Sequence, residues 1–313
     1  MPLALTAAHA ACVDSGGVQQ ATAMDNSIPH LKHPEKLCYP QDAITRKDVL
    51  DYYLAVSGPL LRFCRSRPLT QIRYPDGIES KGFFQKNPPS GAPAWLETWP
   101  VEGTRYIMLQ DQSTIAYAVG LGGLEFHISP LRYPDAVHPD LAWVDLDPMP
   151  PFGFDEAVKL ARLTLTALDA IGMRALIKTT GKRGIHLFMP ILQGPTPHEL
   201  FLALKGLGME LRRVRPELVT LERAKAKRHG VYFDFGQSAA GHTLAAPYSL
   251  RATPGAQVSC PITPEELPHI RPTDFTLRTV PLRLRAGGDA WAAGMAPQDP
   301  SPLLRLAALA GRS

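Results

Sequence analysis

The sequence predicts an α+β protein with a mixed or antiparallel sheet. Three observations carry this: many short β-rich runs, few segments of helical periodicity, and an order in which strands are interleaved with those few helices. With 313 residues, 45% of them hydrophobic, the chain has room for one large or two medium domains around a substantial core.

Residues 1–28 are Ala-rich, contain Gln-Ala-Thr-Ala, and are expected to form a disordered extension, with Met24 an alternative initiator. The first 25 residues hold no Lys or Arg, so a signal-peptide n-region is lacking. Lys36-Leu-Cys-Tyr-Pro40 precedes a helix that Thr45 caps, with Asp48 three residues later and Val49, Tyr52, Tyr53 and Leu60 at helical spacing. Leu69 to Tyr74 alternates like a strand, Pro75-Asp-Gly77 is a turn, and Gly82-Phe-Phe-Gln-Lys-Asn87 runs into a Pro pair. Further strands are expected at Tyr106 to Leu109, Leu124 to Ile128 and Trp143 to Asp147. From Phe154 to Ile171, the apolar residues Phe154, Val158, Ala161, Leu165 and Leu168 recur in steps of three and four behind acidic Asp155 and Glu156, which suits a helix N-terminus. Ala175 to Lys178, Gly184 to Pro190, Gly230 to Phe235 and Leu244 to Arg251 supply more strands, and Pro197 to Arg213 a second long helix. Beyond Asp289 the composition turns to Ala, Gly, Pro and Leu, and Met295-Ala-Pro-Gln-Asp-Pro-Ser-Pro302 breaks regular structure. Residues 29–285 therefore read as the folded domain and 286–313 as a flexible tail, ending in a short apolar helix at Leu303 to Leu309.

Thirty-three Lys and Arg against 29 Asp and Glu give a net charge of +4, which favours polyanionic partners without singling one out. Cys12, Cys38, Cys64 and Cys260 lie far apart, so neither a thiolate zinc site nor a disulfide framework is indicated, and a reducing cytoplasm is the simplest home. No apolar run approaches the roughly 18 residues that span a bilayer, and no membrane partner is expected.

In a strand, side chains alternate faces, so Asp145 and Asp147 of Trp143-Val-Asp-Leu-Asp-Pro148 share one face while Val144 and Leu146 bury the other. Two carboxylates a few ångströms apart repel unless a cation sits between them, and hard oxygen ligands suit Mg²⁺ or Mn²⁺. A bare D-x-D is also common on solvated surface strands. Asp234 lies inside the apolar run Val231-Tyr-Phe-Asp-Phe235, where an unpaired carboxylate is costly. It is either a structural ion pair with Arg228 or a metal ligand.

Lys178-Thr-Thr-Gly-Lys-Arg-Gly-Ile-His186 is a turn crowded with hydroxyls, basic side chains and glycines that let backbone N–H groups approach an anion. The spacing of a Walker A loop is absent. A solvated basic hairpin accounts for all of it except His186, which sits just inside an apolar strand.

Val144-Asp-Leu-Asp-Pro148, Lys178 to His186, and Tyr232-Phe-Asp-Phe235 followed by Ala246-Pro-Tyr-Ser-Leu-Arg251 resemble, in order and spacing, three motifs of the polymerase domain of bacterial DNA ligase D. That domain belongs to the archaeo-eukaryotic primase superfamily and serves non-homologous end joining. The resemblance runs from about Leu31 to Pro268 and includes Leu124-Glu-Phe-His127 and Gly82 to Asn87. It implies a primase-like core with a mixed or antiparallel, RRM-like sheet flanked by helices, divided into a DNA-end-binding part at 29–100 and a catalytic core at 101–285. By resemblance, Asp145, Asp147 and Asp234 are the catalytic acids that bind two divalent ions, Mn²⁺ or Mg²⁺. Thr180, Gly181, Lys182, Arg183, His186 and Arg251 hold the nucleotide, and His127 lies by its sugar, where a preference for ribonucleotides is set. Lys36 and Arg46, with Lys47 adjacent, fall where relatives bind a recessed 5′-phosphate, and Phe83 and Phe84 match a pair that stacks on template bases. Core packing of at least one of these two rings is the plainer expectation.

This chain departs from the pattern at Thr180, where serine is more usual, at His33 and Gly236-Gln-Ser238, where Asn is usual, and near Ile72, where only Arg73 is basic. Nothing in it resembles a ligase or phosphoesterase module. The expectation is a free-standing bacterial, nucleoid-associated nucleotidyltransferase. It would add NTPs or dNTPs at DNA gaps, nicks or double-strand breaks carrying a 5′-phosphate, alongside a Ku-like protein and a separate ligase. Primer synthesis from free nucleotides and a non-catalytic end-binding module are the alternatives.

Overall fold

The structure is a computed structural model and describes residues 28–311, so the expected extension at 1–28 and Cys12 lie almost wholly outside the described residues. Strands β1 (Leu37–Tyr39) and β2 (Ile44–Thr45) pair antiparallel. They lead into α1 (Arg46–Ala55), where Thr45 accepts from the Asp48 backbone N–H while the Asp48 carboxylate accepts from the Thr45 N–H. The single helix expected here is two, because the backbone leaves helical geometry at Val56 before α2 (Ser57–Cys64).

The chain then builds most of one sheet: β3 (Pro68–Arg73), β4 (Phe83–Gln85), β5 (Thr98–Val101), β6 (Thr104–Met108) and, after α3 (Gln112–Gly120), β7 (Gly123–Ile128). Helix α3 escapes the periodicity reading, since its 9 residues are mostly small and its start is set by the Asp111 side chain accepting from Thr114 N–H. The second sheet comes from β8 (Leu141–Pro148), α4 (Phe154–Asp169), β9 (Leu176–Thr179), β10 (Ile185–Pro190), α5 (Pro197–Val214), β11 (Val219–Thr220) and β12 (Val231–Asp234). Then β13 (Leu244–Ala245) returns to the first sheet and β14 (Pro261–Ile262) joins the second. Of the expected Leu244 to Arg251 strand, Leu244 and Ala245 pair with β7 and Leu250 makes an isolated bridge to Val258, while Tyr248 between them takes a positive φ of 64°.

The first sheet has the order β13-β7-β3-β6-β5, with β4 on β3, and the second β11-β12-β8-β10-β9-β14. All pairings are antiparallel except β11 with β12, giving the mixed α+β architecture expected. Because β3 lies between β7 and β6, a boundary at residue 100 cuts through a sheet. The amino-terminal part is also sewn to the rest by buried hydroxyls: Tyr39 donates to Arg251 O, Tyr52 to Tyr248 O, and Tyr53 to Leu124 O.

Residues 286–311 are not a flexible tail. After α6 (Thr279–Gly287), Trp291 is 2% exposed, packs against Phe63 and Phe188, and donates from Nε1 to Ile177 O. Gln298 bonds Arg174 and Leu192, and α7 (Ser301–Leu304) with the following 3-10 turn lies on α5. The Pro-rich composition suggested mobility, but the apolar side chains between the prolines find a core to enter. Among the described residues no helix is long and apolar enough to cross a membrane.

Candidate active site

Strand β8 alternates as its sequence requires: Val144 and Leu146 are fully buried, whereas Asp145 and Asp147 open on the other face. Cross-strand register puts Asp234 of β12 opposite Asp145 on one side and His186 of β10 opposite it on the other, with Lys178 of β9 next to His186. Directly paired residues share a face. One row across the sheet therefore reads Asp234, Asp145, His186, Lys178. The first sheet supplies the opposite wall, so that His127, Asp145, Asp147, Thr180, Lys182, Arg183, His186, Gln237 and Arg251 line one cleft.

Asp145 is the least compensated group in it. Its Oδ1 is buried without a hydrogen-bond partner, and His186 Nε2 stands 3.4 Å away. Burial pushes its carboxyl up to about 6, against the opposing charges of Lys178, Arg251, Arg183 and Arg228. Asp234 is raised too, by burial and then by the Asp145 charge, though Gln237 Nε2 and Gly236 N–H donate to it. Gln237 thus holds the Asp234 carboxylate through its side-chain amide. Arg228 is not the partner of Asp234: its guanidinium lies 3.5 Å from the Tyr232 ring centroid and donates to backbone carbonyls. Asp147 is gripped by Arg183, Nε to Oδ1 at 2.9 Å and Nη2 to Oδ2 at 3.3 Å. Among the described residues, no three His, Cys, Asp or Glu side chains stand grouped as a ready cation cage.

The basic turn exposes Lys182 and Arg183 but is built on buried groups. Thr180 is 6% exposed and its Oγ1 accepts from Lys182 and Gly184 N–H, so its hydroxyl holds the loop shape. A Cβ on Gly181, at φ +68°, would sit 2.6 Å from Arg251 Cγ and 2.8 Å from Val258 C. Only glycine lets the turn pass under Arg251. Lys178, fully buried, bonds His186 Nδ1 at 2.7 Å and Ser259 Oγ, and burial pulls its ammonium well below the usual lysine range. His186 is held well below its usual value by burial and by the charges of Lys178 and Arg251.

A sequence profile described as the primase-polymerase domain of LigD matches residues 45–291. The chain belongs to the LigD primase-polymerase family. It is 30% identical over 270 residues to the multifunctional non-homologous end joining protein LigD of Pseudomonas aeruginosa, covering 84% of this chain and 32% of that protein. It is 32% identical over 257 residues to the bifunctional LigD of Bacillus subtilis, covering 81% of this chain and 42% of that one. The chain thus spans about a third to two-fifths of the length of these relatives. Among solved structures, the polymerase domain of Mycobacterium tuberculosis ligase D in complex with DNA superposes with a TM-score of 0.79 at 28% identity, over 84% of this chain and 96% of that one. The primase-like fold and the nucleotidyltransferase class follow from the LigD family.

The five residues expected to meet DNA lie outside the cleft lining. Lys36 pairs with Asp76 at 2.7 Å and Lys47 with Asp51. Arg46 is 7% exposed, donates to Lys32 O and Pro75 O, and leaves Nε buried without a partner, so it is no ordinary surface charge. Phe83 and Phe84 are 46% and 67% exposed, which overturns the expectation that one of them packs in the core. Arg73 lies over the Phe83 ring, and the Phe84 ring meets the His127 edge.

Glu125 and Lys178 were missed as site residues. Each is a charged residue inside an apolar strand, the same signal that singled out Asp234.

Proposed function

We propose that this chain is a templated nucleotidyltransferase that adds NTPs or dNTPs to the 3′-hydroxyl at 5′-phosphorylated gaps, nicks or broken ends of DNA, in bacterial end joining. The observation that carries this reading is the row of Asp234, Asp145 and His186 beside a built basic turn, with one Asp145 oxygen buried and unpartnered. A buried carboxylate oxygen lacking a donor, next to a second carboxylate, fits a hard divalent cation. Asp145, Asp147 and Asp234 are the residues to hold Mn²⁺ or Mg²⁺. Bound there, such ions supply positive charge at the attacking and leaving oxygens. Lys182, His186 and Arg251 meet the triphosphate, and Arg183, which neutralises Asp147, is the cation for which that triphosphate competes. Phe83 and Phe84, both exposed and the second beside His127, suit stacking on template bases, and Lys36, Arg46 and Lys47 suit the 5′-phosphate. The DNA in the M. tuberculosis neighbour supports this choice of partner. A Ku-like protein and a ligase would precede and follow the step, placing the chain with the nucleoid.

The test is manganese-dependent incorporation of labelled nucleotide at a gapped, 5′-phosphorylated duplex. Asp145→Ala and Asp147→Ala each lose on the order of 1,000-fold or more. Mn²⁺ raises the Tm of the wild-type protein and leaves that of Asp145→Ala unmoved. Normal extension by a folded Asp147→Ala protein sinks the reading.

A further inference from the structure

The face of the first sheet that carries His127 continues beyond the cleft. His127 of β7 pairs with Thr70 of β3, so Pro68 and Thr70 share its face, and Pro68 pairs in turn with Met108 of β6. Tyr106, two residues before Met108, pairs with Trp99 of β5. Trp99, Val101, Tyr106 and Met108 form a small apolar cluster apart from the main core, with Leu131 packed against it. Val101, Tyr106 and Leu131 line a cavity of about 230 Å³, together with Val137 and residues 239–243.

This cavity adjoins the catalytic cleft. Thr243 lines both, and Ala245, two residues on, pairs with His127. Val137 and Tyr133, the latter edge-on to Trp99, are more than half exposed and extend the apolar surface outwards.

Three features select an occupant. The volume falls below the roughly 300 Å³ at which pockets for drug-sized ligands begin, so a single ring system enters and a whole nucleotide does not. Lys86 Nζ stands 5.8 Å from the centroid of the Tyr106 ring, which places a cation against the cavity wall, where a polyanionic chain would pass. Glu102, exposed at the turn between β5 and β6, lines the cavity with Ser129 and His242. Its carboxylate repels phosphate and accepts from the amino group of a base, so the base enters and the backbone stays outside. Phe84 pairs with Ile72, which shares the face of Thr70. A strand stacked on Phe84 therefore runs on across the same face towards Tyr106.

Resting on the polymerase reading, we infer that this cavity is a binding site for the unpaired template base that follows the templating one. Tyr106 stacks on that base, Glu102 and His242 meet its polar edge, and Lys86 meets the phosphate beside it. A one-nucleotide gap has no such base, so the site acts only at longer gaps and single-stranded overhangs.

Binding of the full chain with Mn²⁺ to 5′-phosphorylated duplexes, measured by fluorescence anisotropy, tests this. The duplexes carry a one-nucleotide or a longer gap, and an abasic site is placed in turn at each unpaired template position. Val137→Trp and Ala240→Trp fill the cavity from two exposed positions without touching the main core, and an unchanged Tm verifies their fold. Each weakens binding to the longer gap by on the order of tenfold and leaves the one-nucleotide gap unaffected. An abasic site at one template position costs the wild type the same factor and costs the two variants nothing more. Equal losses at both gap lengths, or abasic costs that persist in both variants, overturn the inference. So does a wild-type scan with no costly position beyond those lost in Phe84→Ala, which needs neither variant. Incorporation by the wild type on the same duplexes judges the polymerase reading separately: binding without incorporation refutes that reading, and the abasic scan still decides whether the cavity takes a base.

Discussion

Glu125 shows how much a single buried charge contributes here. Its carboxyl is held down to about 2 against an ordinary 4.5, although burial alone would raise it. A depressed folded-state value means that the stabilisation is complete above pH 4.5 and is lost as pH falls through that value towards 2. Glu125→Gln is accordingly less stable than the wild type by about 3 kcal/mol at pH 7, and the gap closes on acidification, as urea unfolding at pH 7, 4 and 3 would show. A gap independent of pH would mean that shape, not charge, is what Glu125 supplies. Asp145 stands opposite in sign, raised by burial and with Oδ1 short of a partner, which fits the cation-holding role proposed for it.

At the scale of elements, β8 needs only its own pattern, because alternation delivers Val144 and Leu146 to the core and the two acids to the cleft. The helix α5 is different. Gly206 sits in its middle, where a Cβ would lie 1.9 Å from Leu306 O. In an isolated helix Gly→Ala stabilises by about 1 kcal/mol. Here Gly206→Ala pushes off the backbone of the carboxy-terminal turn and costs roughly 1–3 kcal/mol instead. Thermal denaturation reads the loss, and limited proteolysis reads new cleavage between residues 295 and 311. A rise in Tm would show that this segment does not dock on α5.

For the molecule as a whole, two sheets share one hydrophobic cluster that runs from Cys38 to Leu303. Strand β3 pairs with β6 and β7, and the hydroxyls of Tyr39, Tyr52 and Tyr53 bond Arg251 O, Tyr248 O and Leu124 O, so residues before 100 are tied to those after it. A fragment beginning at residue 101 therefore lacks a central strand and exposes Phe126 and Leu124, whose neighbours come from α1 and β3. Expressed alone, 101–285 gives the circular dichroism and proton NMR of an unfolded or molten chain, whereas 28–311 unfolds in one transition. A folded 101–285 fragment would restore the two-part division expected from sequence.

Sequence by itself determined the fold class, the long helices, the strands that carry Asp145, Asp147, Asp234 and His186, and the family, because alternation, capping and motif spacing are local and readable along the chain. It was also enough to gather the nucleotide-side residues into one expected site. Tertiary structure alone decided what those residues touch. It gave Asp147 to Arg183, took Arg228 away from Asp234, placed the Thr180 hydroxyl inside its own turn, buried Arg46 and exposed Phe84. It also turned a Pro-rich tail into part of the core and joined the buried Glu125 to His127 and Arg251. Each of these depends on which strand lies beside which and how deeply a charge is covered, and strand order and burial arise from contacts between residues far apart in sequence.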